Sequence, residues 1–133
     1  MIQRAHEESD PLFTIRIEPA RKFVAIVMRG FWSKDDLNRF DRTLRQILPN
    51  LRSGGCAIGD QVTIFDLSSY QVQSQDVLTG LAAMAIDPSI GSRKIAVVLS
   101  SGLLKLQARR VAPGYGLFDD RDEAMAWLEV DDR

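Results

Sequence analysis

Two stretches constrain the fold most: FVAIVMRG (Phe23–Gly30) and RKIAVVLS (Arg93–Ser100). Each is apolar at successive positions, so as an extended strand it needs cover on both of its faces. Such strands belong inside a layered sheet and not at its rim. VTIFDL (Val62–Leu67) reads as a further buried strand between them. The segments joining these strands carry apolar residues at helical spacing. Strands that alternate with helices imply a mostly parallel sheet with helices packed on it.

SKDDLNRFDRTLRQIL supplies the first helix. Ser33 is a good N-cap with Asp36 at the third helical position, and Leu37, Phe40, Leu44, Ile47 and Leu48 form one apolar stripe. Pro49 ends it, and Asn50–Gln61 is a long loop broken by Gly54, Gly55 and Gly59. A second helix spans roughly 74–86, with Val77, Leu78, Leu81, Met84 and Ala85 turned inward. Ser101 caps a third, GLLKLQARRVA; YGLF is a brief strand, and DRDEAMAWLEV is a last helix opened by Asp120 and Glu123 as a capping box. Ala124, Trp127 and Leu128 point inward from that last helix.

At the other end, FTIRIE (Phe13–Glu18) alternates strictly, which marks a half-buried strand pairing antiparallel with Phe23–Gly30 as the sheet edge. Residues 1–11 are polar and read as a mobile N-terminal tail. The expectation is a single α/β domain over 12–133, with one mixed sheet of about five strands and four helices in the order ββαβαβαβα.

Chemistry is sparse. The formal net charge of −1 across 133 residues gives no field of the kind that nucleic-acid binders use. No apolar run is long enough to span a bilayer, and the polar start lacks the apolar core of a secretory signal, so the expected compartment is the cytoplasm. The single histidine, His6, falls in the tail, and the single cysteine, Cys56, lies among loop glycines without a histidine partner. The acidic pairs at Asp35/Asp36 and Asp119/Asp120 sit at helix starts, where carboxylates favour the helix dipole. The residues suggest no catalytic set, no metal site and no cofactor, so a non-enzymatic domain is expected.

Two places can bind something. Ser100, Ser101 and Gly102 open a helix at a strand end, with Lys105 and Arg109 on that helix, an arrangement able to hold an anion. The plainer alternative is that Ser101 only caps the helix and the cations are solvated. The second place is VTIFDLSSYQVQSQDVL, where Asp66 and Ser68 lie at or just past a strand end and Ser74, Gln75 and Asp76 form a first helical turn. Trp32 and Tyr115 are the aromatic residues expected to be exposed as contacts, unless they fold back as staples.

In element order and in the motifs GFWSKDDL, TIFDLS, KIAVVLS and LFDDRDEAMAWL, the chain resembles the STAS family of sulfate-transporter and anti-sigma-factor-antagonist domains, and more closely its SpoIIAA-like (STAS/SEC14-like) bacterial relatives. The resemblance runs over about residues 12–130. In that family a strand-to-helix segment reads Asp-Leu-Ser and then, after a short spacer, Asp-Ser-Ser-Gly-Leu, whose second serine a partner kinase phosphorylates. Laid on this chain without gaps, Asp66, Leu67 and Ser68 match, while Ser74 stands at the aspartate, Gln75 at the first serine and Asp76 at the phosphorylated one. Val77 replaces the glycine, and Leu78 matches. Asp76 carries one negative charge against roughly −1.5 to −2 for a phosphoserine, so it imitates one poorly. A slip of register makes Ser74 the acceptor instead; its simplest role is N-cap.

The resemblance implies a regulatory protein-interaction domain whose partner, a regulator or kinase-type protein, docks around Ser74, Asp76 and Thr79. The alternative is a carrier of a lipid or another apolar small molecule, held between the sheet and the helices by Leu81, Met84, Ala85, Leu103, Leu104 and Leu106. Self-association through the free edge of the Phe13–Glu18 strand, giving a homodimer, is a further option.

Overall fold

In a computed structural model, which describes residues 6–130, the strands are β1 (His6–Asp10), β2 (Phe13–Glu18), β3 (Phe23–Gly30), β4 (Val62–Tyr70), β5 (Lys94–Val98) and β6 (Gly116–Phe118). The helices are α1 (Lys34–Ile47), α2 (Pro49–Ser53), α3 (Gln75–Ala85), α4 (Gly102–Val111) and α5 (Arg121–Glu129). The strands form one sheet in sequence order, β1-β2-β3-β4-β5-β6. The first two pairings are antiparallel and the rest parallel. The expected mixed α/β sheet is therefore present, with one strand more than anticipated and a short helix, α2, added in the expected loop.

The added strand comes from the expected tail. His6–Asp10 pairs in register with Asp10 opposite Phe13 and His6 opposite Ile17. Residues 1–5 and 131–133 lie outside the described residues. The edge of the sheet is thus the polar, charged β1, and β2 lies inside it, so the edge proposed for self-association is already occupied. Charged side chains on an outermost strand discourage further pairing. Asp10 also ties β1 to α1: Arg39 Nε donates to Asp10 Oδ2 at 2.7 Å and its Nη2 to Oδ1 at 3.0 Å.

The two faces of the sheet are covered unequally, which follows from the two-faced apolar strands. Val24, Ile26 and Met28 of β3 and Val97 of β5 face the larger core beneath α1, α3 and α4. Phe23, Val62, Ile64, Ala96 and Val98 face the other way, onto Ala124 and Leu128 of α5. α1 seats firmly: Ser33 and Asp36 form the expected reciprocal capping box, and Leu37, Phe40, Leu44 and Ile47 are buried. α3 and α4 each bury a single residue fully, Val77 and Leu104. α3 still approaches α1 closely, because a Cβ at Gly80 would collide with Leu37 Cδ2.

Candidate functional site

Beneath α3 and α4 the larger core is not filled. A cavity of about 120 Å³ lies between these helices, α1 and the sheet. Its floor is Ile26 and Met28 of β3, Phe65 and Leu67 of β4, and Ile95 and Val97 of β5. Phe40 and Leu44 of α1 form one wall. Leu78, Leu81 and Met84 of α3 and Leu104, Ala108 and Val111 of α4 form the roof. No charged side chain lines it among the described residues. The apolar spacing of α3 thus points inward as expected: Val77 is buried and Leu81 and Met84 pack against the core, while Leu78, Leu81, Met84 and Ala85 also border this space.

Of the residues expected to hold an apolar ligand, Leu81, Met84, Ala85 and Leu104 line the cavity. Leu103 and Leu106 do not; they are 66% and 52% exposed. The reason is helical phase: Leu104, Ala108 and Val111 recur at four and then three residues, which fixes the inner face of α4 and rotates Leu103 and Leu106 outward.

A buried polar clasp closes one end of the cavity. Gln73, in the link between β4 and α3, is 5% exposed. Its Oε1 accepts from the Trp32 backbone N–H at 2.9 Å, and its Nε2 donates to the carbonyls of Gly30 at 3.0 Å and Gln71 at 2.7 Å. Its backbone pairs with the Gln107 side chain of α4, N–H to Oε1 at 2.9 Å and carbonyl from Nε2 at 3.0 Å. One residue thereby joins the end of β3, the start of α3 and the middle of α4. Gly30 makes the turn at that point with a φ of +79°, where a side chain would be strained.

Trp32 is the hub beside this clasp. It is fully buried, not exposed, and its indole N–H donates to the Arg29 carbonyl at 2.8 Å. Its ring lies 5.2 Å from that of Phe40 and 5.1 Å from that of Tyr70, centroid to centroid. It precedes the N-cap Ser33, the position from which an apolar residue folds back on its helix, so the staple alternative holds. Tyr115 is half-buried, stacked 6.3 Å from Phe65 on the cavity floor.

The expected switch residues fall into two groups. β4 runs past Asp66 to Tyr70, but its pairing with β5 stops where Asp66 meets Val98, and its register with β3 shifts between Val27 and Arg29. Asp66 Oδ1 accepts the Ser68 N–H at 2.9 Å at this irregularity. Ser74 caps α3, accepting from the Val77 N–H at 3.4 Å, and Gln75 Nε2 donates to Thr79 Oγ1 at 3.3 Å. Ser68, Ser74, Gln75, Asp76 and Thr79 are all exposed. Their own hydrogen bonds do not connect Asp66 and Ser68 with the α3 group.

At the other expected site, Ser101 Oγ accepts the Leu104 N–H at 3.2 Å, so it caps α4. Lys105 Nζ donates to Asp119 Oδ1, which draws its charge to a carboxylate. Ser100, Gly102 and Arg109 are exposed. Cys56 is buried, and burial pushes its thiol up. Asp120 caps α5 through the Asp122 N–H. Among the described residues no cluster of three or more His, Cys, Asp or Glu is placed to hold a metal ion, and no helix is long and apolar enough to cross a membrane.

Sequence reasoning missed the Gln73–Gln107 clasp and the hydroxyl of Tyr70. The Gln-rich turn was visible, but nothing in it distinguishes the buried glutamine from its exposed neighbour Gln71. A buried residue and a half-buried partner separated by a helix and a strand leave no periodic trace.

No protein-family model matches the chain, and no curated protein matches it. Among solved structures, an uncharacterized protein of the DUF3478 family from Shewanella loihica PV-4, described as having a SpoIIAA-like fold, is similar to it with a TM-score of 0.61. The likeness covers 94% of this chain and 92% of that one, at 16% sequence identity. Near-complete coverage, together with the strand order and the helix placement above, shows that this chain has the SpoIIAA-like fold.

Proposed function

We propose that this chain is a non-enzymatic binding domain that holds a small apolar molecule beneath α3 and α4. The observation that carries this is the cavity: about 120 Å³ of space lined almost wholly by aliphatic and aromatic side chains. An engineered apolar cavity of about 150 Å³ stays dry and binds benzene, so this one suits a ring or a short chain of comparable size. A whole lipid needs more room, since drug-sized ligands occupy roughly 300–1,000 Å³. The shallow seating of the two roof helices supports entry from that side, because few fully buried contacts must be broken to lift them.

A second reading is favoured by the outer face of α3. Ser74, Gln75, Asp76 and Thr79 present an exposed polar surface on the same helix that roofs the cavity. A regulatory protein partner docked there would sense the helix position, and a ligand beneath it would alter that position. Gentle purification followed by native mass spectrometry tests the first reading. A co-purifying small mass supports it. A bare mass, together with a protein partner lost on Asp76→Arg, would replace it with the second.

A further inference from the structure

The polar side chains that line the cavity are few, and among the described residues only one of their polar atoms is both buried and without a partner. Gln73 and Gln107 are held in the clasp. Thr63 Oγ1 and Ser92 Oγ lie 2.6 Å apart as a hydrogen-bonded pair. The exception is Tyr70. It lines the cavity, is 8% exposed, and its hydroxyl is buried with no hydrogen-bond partner. Its ring is fixed by edge packing against Trp32, so the side chain stays in place.

An unpartnered hydroxyl in an apolar site is costly, and native structures leave few of them. A water molecule is a poor answer here, because buried waters make about three hydrogen bonds and the only buried unpartnered side-chain atom among the described residues is this hydroxyl. A ligand with an apolar body and one acceptor oxygen satisfies the hydroxyl and fills the space together. An anionic ligand does not fit, since no cationic side chain lines the cavity to offset its desolvation. Burial also holds the Tyr70 phenol above its ordinary range, so it remains a donor at neutral pH.

We infer that the cavity takes a small neutral molecule bearing one hydrogen-bond acceptor, such as a cyclic or short-chain ketone, ester or ether, and that Tyr70 Oη donates to that acceptor. This rests on the ligand-binding reading above and gives it a chemical class. Tyr70 is then the residue that distinguishes oxygenated apolar molecules from plain hydrocarbons.

The test titrates cyclohexanone, toluene and hexanoate into the wild-type protein and Tyr70→Phe at pH 7, followed by methyl NMR. Cyclohexanone should bind the wild type about tenfold more tightly than the variant, the ratio expected for one buried hydrogen bond. Toluene should bind both within about twofold, and hexanoate neither. Without probe, Tyr70→Phe should be as stable as the wild type or more so, because it removes an unpaired buried donor. A marked loss of stability would mean that the hydroxyl has a protein partner and would overturn the assignment. If toluene binds but cyclohexanone is indifferent to the variant, the cavity reading stands and the Tyr70 assignment falls. Hexanoate binding more tightly than cyclohexanone also refutes it. If neither neutral probe binds, both readings fall together.

Discussion

Replacing Gln73 should loosen the molecule more than any exposed change in the same segment. Gln73→Met keeps the length and apolar stem of the side chain and removes its hydrogen bonds. The Trp32 N–H then loses its acceptor in a fully buried setting, which costs about 1–3 kcal/mol. The Gly30 carbonyl is less affected, since it also accepts from the Gln71 N–H at 3.1 Å. Gln71 is exposed, so its carbonyl can turn to water. The loss is therefore about 1–3 kcal/mol for Gln73→Met, and about 1 kcal/mol more for Gln73→Ala, which also enlarges the cavity. Gln73→Glu should do no better than Met, because its carboxylate would face the carbonyls of Gly30 and Gln71. Urea unfolding gives the difference from the midpoints, provided that the slopes agree. Thr79→Ala, on the exposed face of α3, serves as a reference within about 0.5 kcal/mol. A Gln73→Met protein that matches this reference would refute the argument that the Gln73 side chain ties the end of β3 to the start of α3.

Asp87 should titrate at about 2, because the Ser89 hydroxyl and then the Arg45 guanidinium donate to its carboxylate. Its folded value lies below its ordinary value of 3.8, so the stability that it contributes is complete above that value and is lost as pH falls towards 2. Carboxyl NMR checks the midpoint, and Arg45→Met should raise it. Arg39→Ala should release β1 from α1 and speed hydrogen exchange at residues 6–10, while costing the whole fold no more than about 1 kcal/mol. The same change should raise the Asp10 carboxyl, which the Arg39 hydrogen bonds hold below the usual range. Leu104→Ala should cost about 2–5 kcal/mol in thermal or urea unfolding, since it removes the only fully buried side chain of α4.

The fold was legible because its strongest signal is physical: strands apolar on both faces cannot sit at an edge or face water. That placed β3, β4 and β5 inside the sheet, and the helices between them implied that they run parallel to one another. The capping box at Ser33 and Asp36 and the caps at Ser74 and Ser101 were equally plain, since each is a local pattern. β1 was not legible, because HEESD is polar throughout and shows no alternation. Its place comes from pairing with β2 and from the Asp10–Arg39 ion pair, both of which reach across the sequence. α2 was hidden by Pro49, which stops α1 and also starts the next turn, since its missing N–H is no loss at a first helical position.

The candidate site was half visible. Periodicity shows which side of α3 and α4 turns inward, but not whether that side meets packed atoms or space. Leu81 and Met84 would look the same in sequence in either case. The burial of Trp32 and the unpaired state of Tyr70 depend on what surrounds them in three dimensions. Ser74, Gln75 and Asp76, by contrast, lie at the exposed start of α3, where the N-cap pattern puts them.

If the space beneath α3 and α4 is a binding site, it admits an apolar molecule. Toluene titrated into protein with labelled Leu, Ile, Val and Met methyl groups tests it most directly. Saturable shifts are expected, centred on Leu78, Leu81, Met84, Ile95 and Val97, with the exposed methyls of Leu103 and Leu106 unmoved. Shifts confined to exposed methyls, or none up to the solubility limit of toluene, would contradict it.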